Sequence, residues 1–141
     1  MPAVAALDPM LCFAVYSADR RIGQIYRELL APSGLSYTQY LVLIALWEDG
    51  SLAVGRIGDL LGLDSGTLSP LLKRLESRGL VTRARSAADE RVVTVALTEA
   101  GLALRDELAE LPRCLGERLG ITREQADALV SALRAVAPAA D

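Results

Sequence analysis

Five side chains within one ten-residue stretch, Ser65, Thr67, Ser69, Lys73 and Arg74, form a set suited to binding a polyanion. Three short hydroxyls come first, and two cations follow one to two helical turns later. Hydroxyls can bond phosphate oxygens or base edges, while Lys and Arg neutralise phosphate charge. A second set lies near the start of the chain, where Cys12 precedes Tyr16 by four residues. A thiol is a nucleophile only as thiolate, and a phenol on the same helix face can donate a hydrogen bond that favours that form. Other chemistries are poorly supplied. The chain has no His, which removes Ser-His and Cys-His catalysis, and its two cysteines alone leave too few soft ligands for a zinc site. There is no glycine-rich phosphate loop, so neither metal nor cofactor is expected.

The elements that must carry these side chains are legible between Ile57 and Thr98. Two short helical patterns are separated by a tight turn. A strand pair with a charged connection follows, the layout of a winged helix-turn-helix, whose second helix enters the DNA major groove. That helix is expected to start near Asp64-Ser65, to bury Leu68, Leu71, Leu72 and Leu75, and to stop at Gly79. Ser65, Thr67, Ser69 and Lys73 then fall off the buried face. Strands are expected at Val81–Arg85 and Arg91–Leu97. Upstream, Asp8-Pro9 reads as an N-cap and first helical residue, followed by an apolar stripe through Leu11, Val15, Ala18, Ile22, Ile25 and Leu29. Pro32-Ser33-Gly34 ends it. Ser36 to Gln39 is a capping box opening a helix through Trp47, and a weak helix over Val54–Leu61 contains Gly55 and Gly58. Downstream, Thr98 caps a long helix kinked by Pro112. Thr122 to Gln125 is a second capping box, for a helix to about Val136.

The fold class is therefore mostly α with a small β wing. The 141 residues form one chain-long unit, with a winged-helix core over about 36–98 and long helices over about 8–31 and 99–137. A winged-helix core has no internal use for both flanking apolar stripes, and interdigitation with a second copy would bury them. Such a homodimer sets two recognition helices about one DNA turn apart, so a palindromic double-stranded site is expected. The net charge of −3 does not oppose this. Residues 65–91 hold six Lys/Arg against three acids, +3 locally, and the rest of the chain carries −6. Phosphate binding follows the local field. No apolar run reaches bilayer-spanning length, and residues 1–7 lack a basic start, so the reading is a cytoplasmic protein without a membrane partner, its thiols reduced.

With Asp8 as N-cap, Cys12 falls in or just past the first turn, where the positive end of the helix dipole favours thiolate. Tyr26 lies fourteen residues further on, roughly 21 Å along the axis, and cannot reach its own Cys12. Two such helices crossing antiparallel would bring Tyr26 of one chain to Cys12 of the other. The alternative is a buried, inert thiol, given that Leu11 and Phe13 flank it.

The wing run Asp89-Glu90-Arg91, followed by Val95-Ala96-Leu97-Thr98, resembles the signature of the MarR (multiple-antibiotic-resistance regulator) family. Within it, the runs Leu11 to Tyr16, Tyr37 to Leu43 and Leu63 to Leu75 resemble the organic-hydroperoxide-sensing branch, OhrR. The likeness covers roughly residues 7–112. It implies a homodimeric transcriptional repressor, not an enzyme, which leaves its operator when organic hydroperoxide oxidises a cysteine. In that branch the target is typically a gene for a thiol-dependent hydroperoxide reductase. Cys12 matches the reactive cysteine, and Tyr16, Tyr26 and Tyr37 match tyrosines around it. Cys114 suits the resolving cysteine of two-cysteine members, though its local sequence is less distinctive. Ser65, Thr67, Ser69, Lys73 and Arg74 match recognition-helix positions. Arg91 matches the wing-tip arginine of the minor groove, Asp89 the acid orienting it, and Arg85 joins the DNA-facing set. Ala53 departs from the family's usual Thr or Ser helix cap. Two other functions remain open: a repressor released by a small aromatic or phenolic ligand, and a thiol peroxidase using Cys12 and Cys114. Against the second stands the lack of His and of any nearby Arg or Thr to activate a peroxide.

Overall fold

The computed structural model describes residues 9–139. The first helix, α1, runs Leu11–Leu30 and ends in a 3-10 turn, Ala31–Ser33. Its N-cap position is Met10, with no side-chain cap bond. Asp8, expected in that role, lies outside the described residues. The capping box at Ser36 forms as expected. The Ser36 hydroxyl accepts from the Gln39 amide at 3.2 Å, and the Gln39 side chain accepts from the Ser36 amide at 2.9 Å. It opens α2, Tyr37–Asp49. Helix α3 spans Val54–Leu61 and α4 Ser65–Ser77. Ala53 stands at the N-cap of α3 without a side-chain bond, as its lack of a hydroxyl requires.

The sheet has one strand more than expected. Ser51–Ala53 forms β1, which pairs antiparallel with β3, Val93–Leu97, in the register Ser51↔Ala96. The other side of β3 pairs with β2, Val81–Arg85, in the register Val81↔Leu97 and Arg85↔Val93. A three-residue strand shows no alternation to mark it in the sequence; its pairing comes from β3, more than forty residues away. The first two residues expected of that strand, Arg91 and Val92, belong to the wing tip instead.

The core lies between α2, α3, α4 and the sheet. Leu30, Val42, Leu43, Leu46, Ile57, Leu68, Leu72, Leu75, Val81 and Val95 are all fully buried, each side chain contributing about 1.5–3 kcal/mol of transfer free energy. Burial of Ile57 holds α3 despite its glycines. The long C-terminal helix of the sequence reading is instead two helices, α5 (Glu99–Glu107) and α6 (Leu111–Leu119). The break falls before Pro112, which sits in the first turn of α6, where its missing N–H leaves no bond unmade. Helix α7, Arg123–Arg134, starts at the Thr122 capping box and ends two residues before Val136. No single helix among the described residues is long and apolar enough to cross a membrane.

Candidate DNA interface and redox site

Helix α4 is fixed on one side by its leucines and left free on the other. Leu68, Leu71, Leu72 and Leu75 are buried, while Ser65, Thr67, Ser69, Lys73 and Arg74 are all exposed. Its start is set by Asp64, whose carboxylate accepts from the Thr67 amide at 2.7 Å. That bond holds the Asp64 carboxyl below the usual range. Gly79, just past the helix, has φ +71, a conformation that an L side chain would strain.

Strand β2 is tied back to α4 by Arg83. Its amide and its guanidinium both donate to Glu76, at 3.1 Å each, and the guanidinium bond holds the Glu76 carboxyl low. The pair orients the wing on the helix; neither residue carries a motif, and only the folded register reveals them. At the wing, Arg85 donates to the Glu90 carbonyl at 2.7 Å, so it braces the wing as well as charging it. Arg91 grips Asp89 with Nε and Nη2, both at 3.1 Å, and its amide donates to the same carboxylate at 3.0 Å. These bonds hold the Asp89 carboxyl below its ordinary range. The Arg91 side chain is 90% exposed. An exposed pair of this kind adds little stability. What it does is hold a cation extended at the tip.

Cys12 is exposed and is the second residue of α1, nearer the helix start than the sequence implied. The Tyr16 hydroxyl accepts from Arg20 at 2.9 Å, and its ring stacks near Phe13. Tyr26 and Tyr37, in contrast, are brought together, their ring centroids 4.5 Å apart. Tyr40 and Trp47 extend this aromatic row along α2, Tyr40 lying 5.9 Å from Tyr26 and 6.2 Å from Trp47. Nothing in the sequence singles out either residue. Their spacing along α2 marks only a helix face, which core packing explains equally well. Burial, with the neighbouring Tyr37 and Tyr40, pushes the Tyr26 phenol up to about 12. Burial also raises Tyr37, with the Asp19 charge, and Tyr40, with Tyr37. These phenols stay protonated and able to donate.

Cys114 is half-buried on α6. That helix lies along the second half of α1: Arg21 donates to the Arg118 carbonyl at 3.0 Å, and Arg118 pairs with Glu28. Arg21 and Glu28 are nine and sixteen residues past Cys12, roughly 14 and 24 Å along the axis. One chain therefore keeps its two cysteines apart. The first turns of α1 expose Leu11, Phe13, Val15 and Tyr16, and α7 exposes Leu129, Val130 and Leu133. No described residue of α7 is buried. Among the described residues no group of His, Cys, Asp and Glu is placed to hold a metal.

Known proteins carry the same combination of elements. The family described as "Transcriptional regulator SarA/Rot" matches residues 24–108. The organic hydroperoxide resistance transcriptional regulator of Bacillus subtilis is 42% identical over 87% of this chain and 82% of its own length. The chain belongs to the SarA/Rot family of MarR-like winged-helix transcriptional regulators. The regulator is also 50% identical to TtmR of Methylorubrum extorquens over 91% of its chain, and spans 66% of that longer relative. Solved structures agree. Reduced AbfR bound to DNA superposes with a TM-score of 0.77 at 34% identity, covering 89% of this chain and 88% of AbfR. A disulfide-formed AbfR superposes at 0.69 and 34% identity, with the same coverage. A mutant MarR of Escherichia coli complexed with operator DNA superposes at 0.82 and 25% identity, covering 91% and 94%. The winged-helix fold and the family read from the residues are thus both borne out.

Proposed function

We propose that the regulator is a homodimeric repressor that binds a palindromic operator and releases it when an organic hydroperoxide oxidises Cys12. The observation that carries this reading is the separation of the sensor's parts. An exposed thiol stands in the first turn of α1, beside an uncovered apolar face, while the paired donors Tyr26 and Tyr37 stand roughly 21 Å away. A second copy crossing antiparallel would cover the apolar faces of α1 and α7 and bring Tyr26 and Tyr37 to the partner's Cys12. Residues about 36–98 then form the DNA-binding core, and about 8–31 and 99–137 the dimerisation helices. On DNA, Ser65, Thr67, Ser69, Lys73 and Arg74 face the major groove, while Arg91, set by Asp89, reaches the minor groove with Arg85 behind it.

The Cys12 thiolate attacks the distal peroxide oxygen. The O–O bond breaks, sulfur is oxidised to sulfenic acid, and the alcohol leaves with a proton. The Cys114 thiol of the other chain then attacks that sulfur, forming the disulfide and releasing water. A reductant must restore the thiols, so the protein is a stoichiometric switch in the cytoplasm and not a turning-over enzyme. Two relatives support the chemistry, one by its hydroperoxide-resistance role and one by its reduced, DNA-bound and disulfide-formed structures.

Operator binding with and without cumene hydroperoxide, on wild type and Cys12→Ser, tests the proposal. Cys12→Ser should bind normally and stay bound, because a serine hydroxyl remains protonated and inert. Release of that variant by peroxide overturns the redox reading. Release of both proteins by a small aromatic acid, in the groove lined by Phe13, Tyr16 and Arg20, would favour ligand control.

A further inference from the structure

Arg78 belongs to neither the DNA-facing set nor the redox set, yet it joins their elements. It is the C-cap residue of α4, and its own amide donates to the Arg74 carbonyl. Its guanidinium crosses to the corner between α1 and α2. There Nη1 donates to the Gly34 carbonyl at 3.1 Å and Nη2 to the Ser33 carbonyl at 2.6 Å. The guanidinium closes on Gly34, with both Nη atoms 3.7 Å from where a Cβ would stand. That corner is internally braced, since the Ser33 hydroxyl donates to the Leu30 carbonyl at 2.7 Å. It also separates the paired tyrosines: Tyr26 stands one turn before Leu30, and Tyr37 three residues after Gly34. The opposite side of the same α4 terminus is pinned too. Thr98 donates through its hydroxyl to the Gly79 carbonyl at 2.6 Å and through its amide to the Leu80 carbonyl at 3.1 Å. The end of the recognition helix is thus held between the α1–α2 corner and the start of α5.

We propose that Arg78 is the positioning residue through which the α1–α2 corner sets the recognition helix on the operator. A planar fork reaching two successive carbonyls transmits both displacement and rotation of the corner, which one flexible ammonium cannot do. Arg78 acts through α4 and does not touch DNA. Its oxidation arm rests on the reading of Tyr26 and Tyr37 as sensor residues; its DNA-affinity arm does not.

The test uses the full-length dimer, wild type, Arg78→Ala and Arg78→Lys, with folding checked by circular dichroism. Operator affinity is measured by anisotropy across a salt series, before and after stoichiometric cumene hydroperoxide, with Cys12 thiol loss followed in parallel. Both variants should oxidise at the wild-type rate. Both should bind the operator about tenfold more weakly when reduced, with unchanged salt slope, and both should show a smaller ratio of reduced to oxidised affinity. If Arg78→Ala does not fold, Arg78→Lys carries the same expectations. Wild-type affinity and ratio in Arg78→Lys, with a salt slope lowered by about one in Arg78→Ala, would make Arg78 a phosphate contact and overturn the proposal. Wild-type behaviour of every variant would overturn it equally. If oxidised wild type keeps its operator, the hydroperoxide reading fails, and reduced-state affinity and salt slope still decide the role of Arg78.

Discussion

At the scale of single residues, Arg91 and Lys73 make opposite demands on the fold. Arg91 is organised before any DNA arrives, because Asp89 holds its guanidinium from two sides and its amide from a third. Lys73 is simply exposed on α4. Pre-ordering lowers the conformational entropy lost on binding, so Arg91 should contribute more per charge. Arg91→Ala is expected to weaken operator binding by about 1–3 kcal/mol and to lower the salt slope by about one. Lys73→Ala should lower the slope similarly with a smaller loss of affinity. Asp89→Asn should lie between wild type and Arg91→Ala, since the cation stays but loses its brace. Titrations from low to high salt would show this, and identical curves for all three would remove the wing and α4 from the interface.

At the scale of elements, the most constrained contact lies between α5 and the α4–β2 corner. A Cβ on Gly101 would fall 2.1 Å from the Leu80 carbonyl oxygen and 3.1 Å from its carbon. The Gly101 carbonyl also accepts from the Trp47 indole at 3.0 Å. The backbone of α5 is thus pressed on the corner and latched to α2. Gly101→Ala must push α5 away or bend the corner, and overpacking against backbone costs about 2–3 kcal/mol or more. A fall in Tm of about 6–10 °C is expected, with a change in the emission of Trp47, the chain's one tryptophan. Thermal melts within about 2 °C of wild type would show that α5 moves freely. The same packing explains why the helix expected to run on from Thr98 past Pro112 is divided. Once α5 is latched, Leu111 reaches the core only if the chain turns before it.

At the scale of the whole molecule, the exposed apolar faces of α1 and α7 and the separated cysteines are what the proposed homodimer accounts for: a second copy would cover the faces and bring a partner thiol. Bond formation needs Cα atoms within about 7 Å, a reach that a single chain does not offer Cys12 and Cys114. Peroxide-treated wild type should run as a covalent dimer on a non-reducing gel and collapse to monomer with reductant. Cys114→Ser should stay monomeric on that gel, although dimeric in solution, and accumulate oxidised Cys12. A bridge confined to one chain would reject the inter-subunit scheme and leave Cys12 as the reactive thiol.

The sequence alone determined what depends on local physics. The leucine spacing of α4 set its exposed hydroxyls and cations apart, the boxes at Ser36 and Thr122 set two helix starts, and the runs around Cys12, Tyr37 and the wing carried the family. Each signal is complete within a few turns of chain. Tertiary structure decided the rest. The strand at Ser51 exists because β3 offers it partners, and α5 ends where Leu111 must turn into the core. Tyr40 and Trp47 join Tyr26 and Tyr37 in one aromatic row only when α1 crosses α2. Arg78, one cation among the fifteen Lys/Arg of the chain, becomes distinct only because Ser33 and Gly34, some forty-five residues earlier, fold to within hydrogen-bond reach. Long-range pairs leave no period in the sequence, since their spacing is set by the path of the chain and not by the pitch of any element.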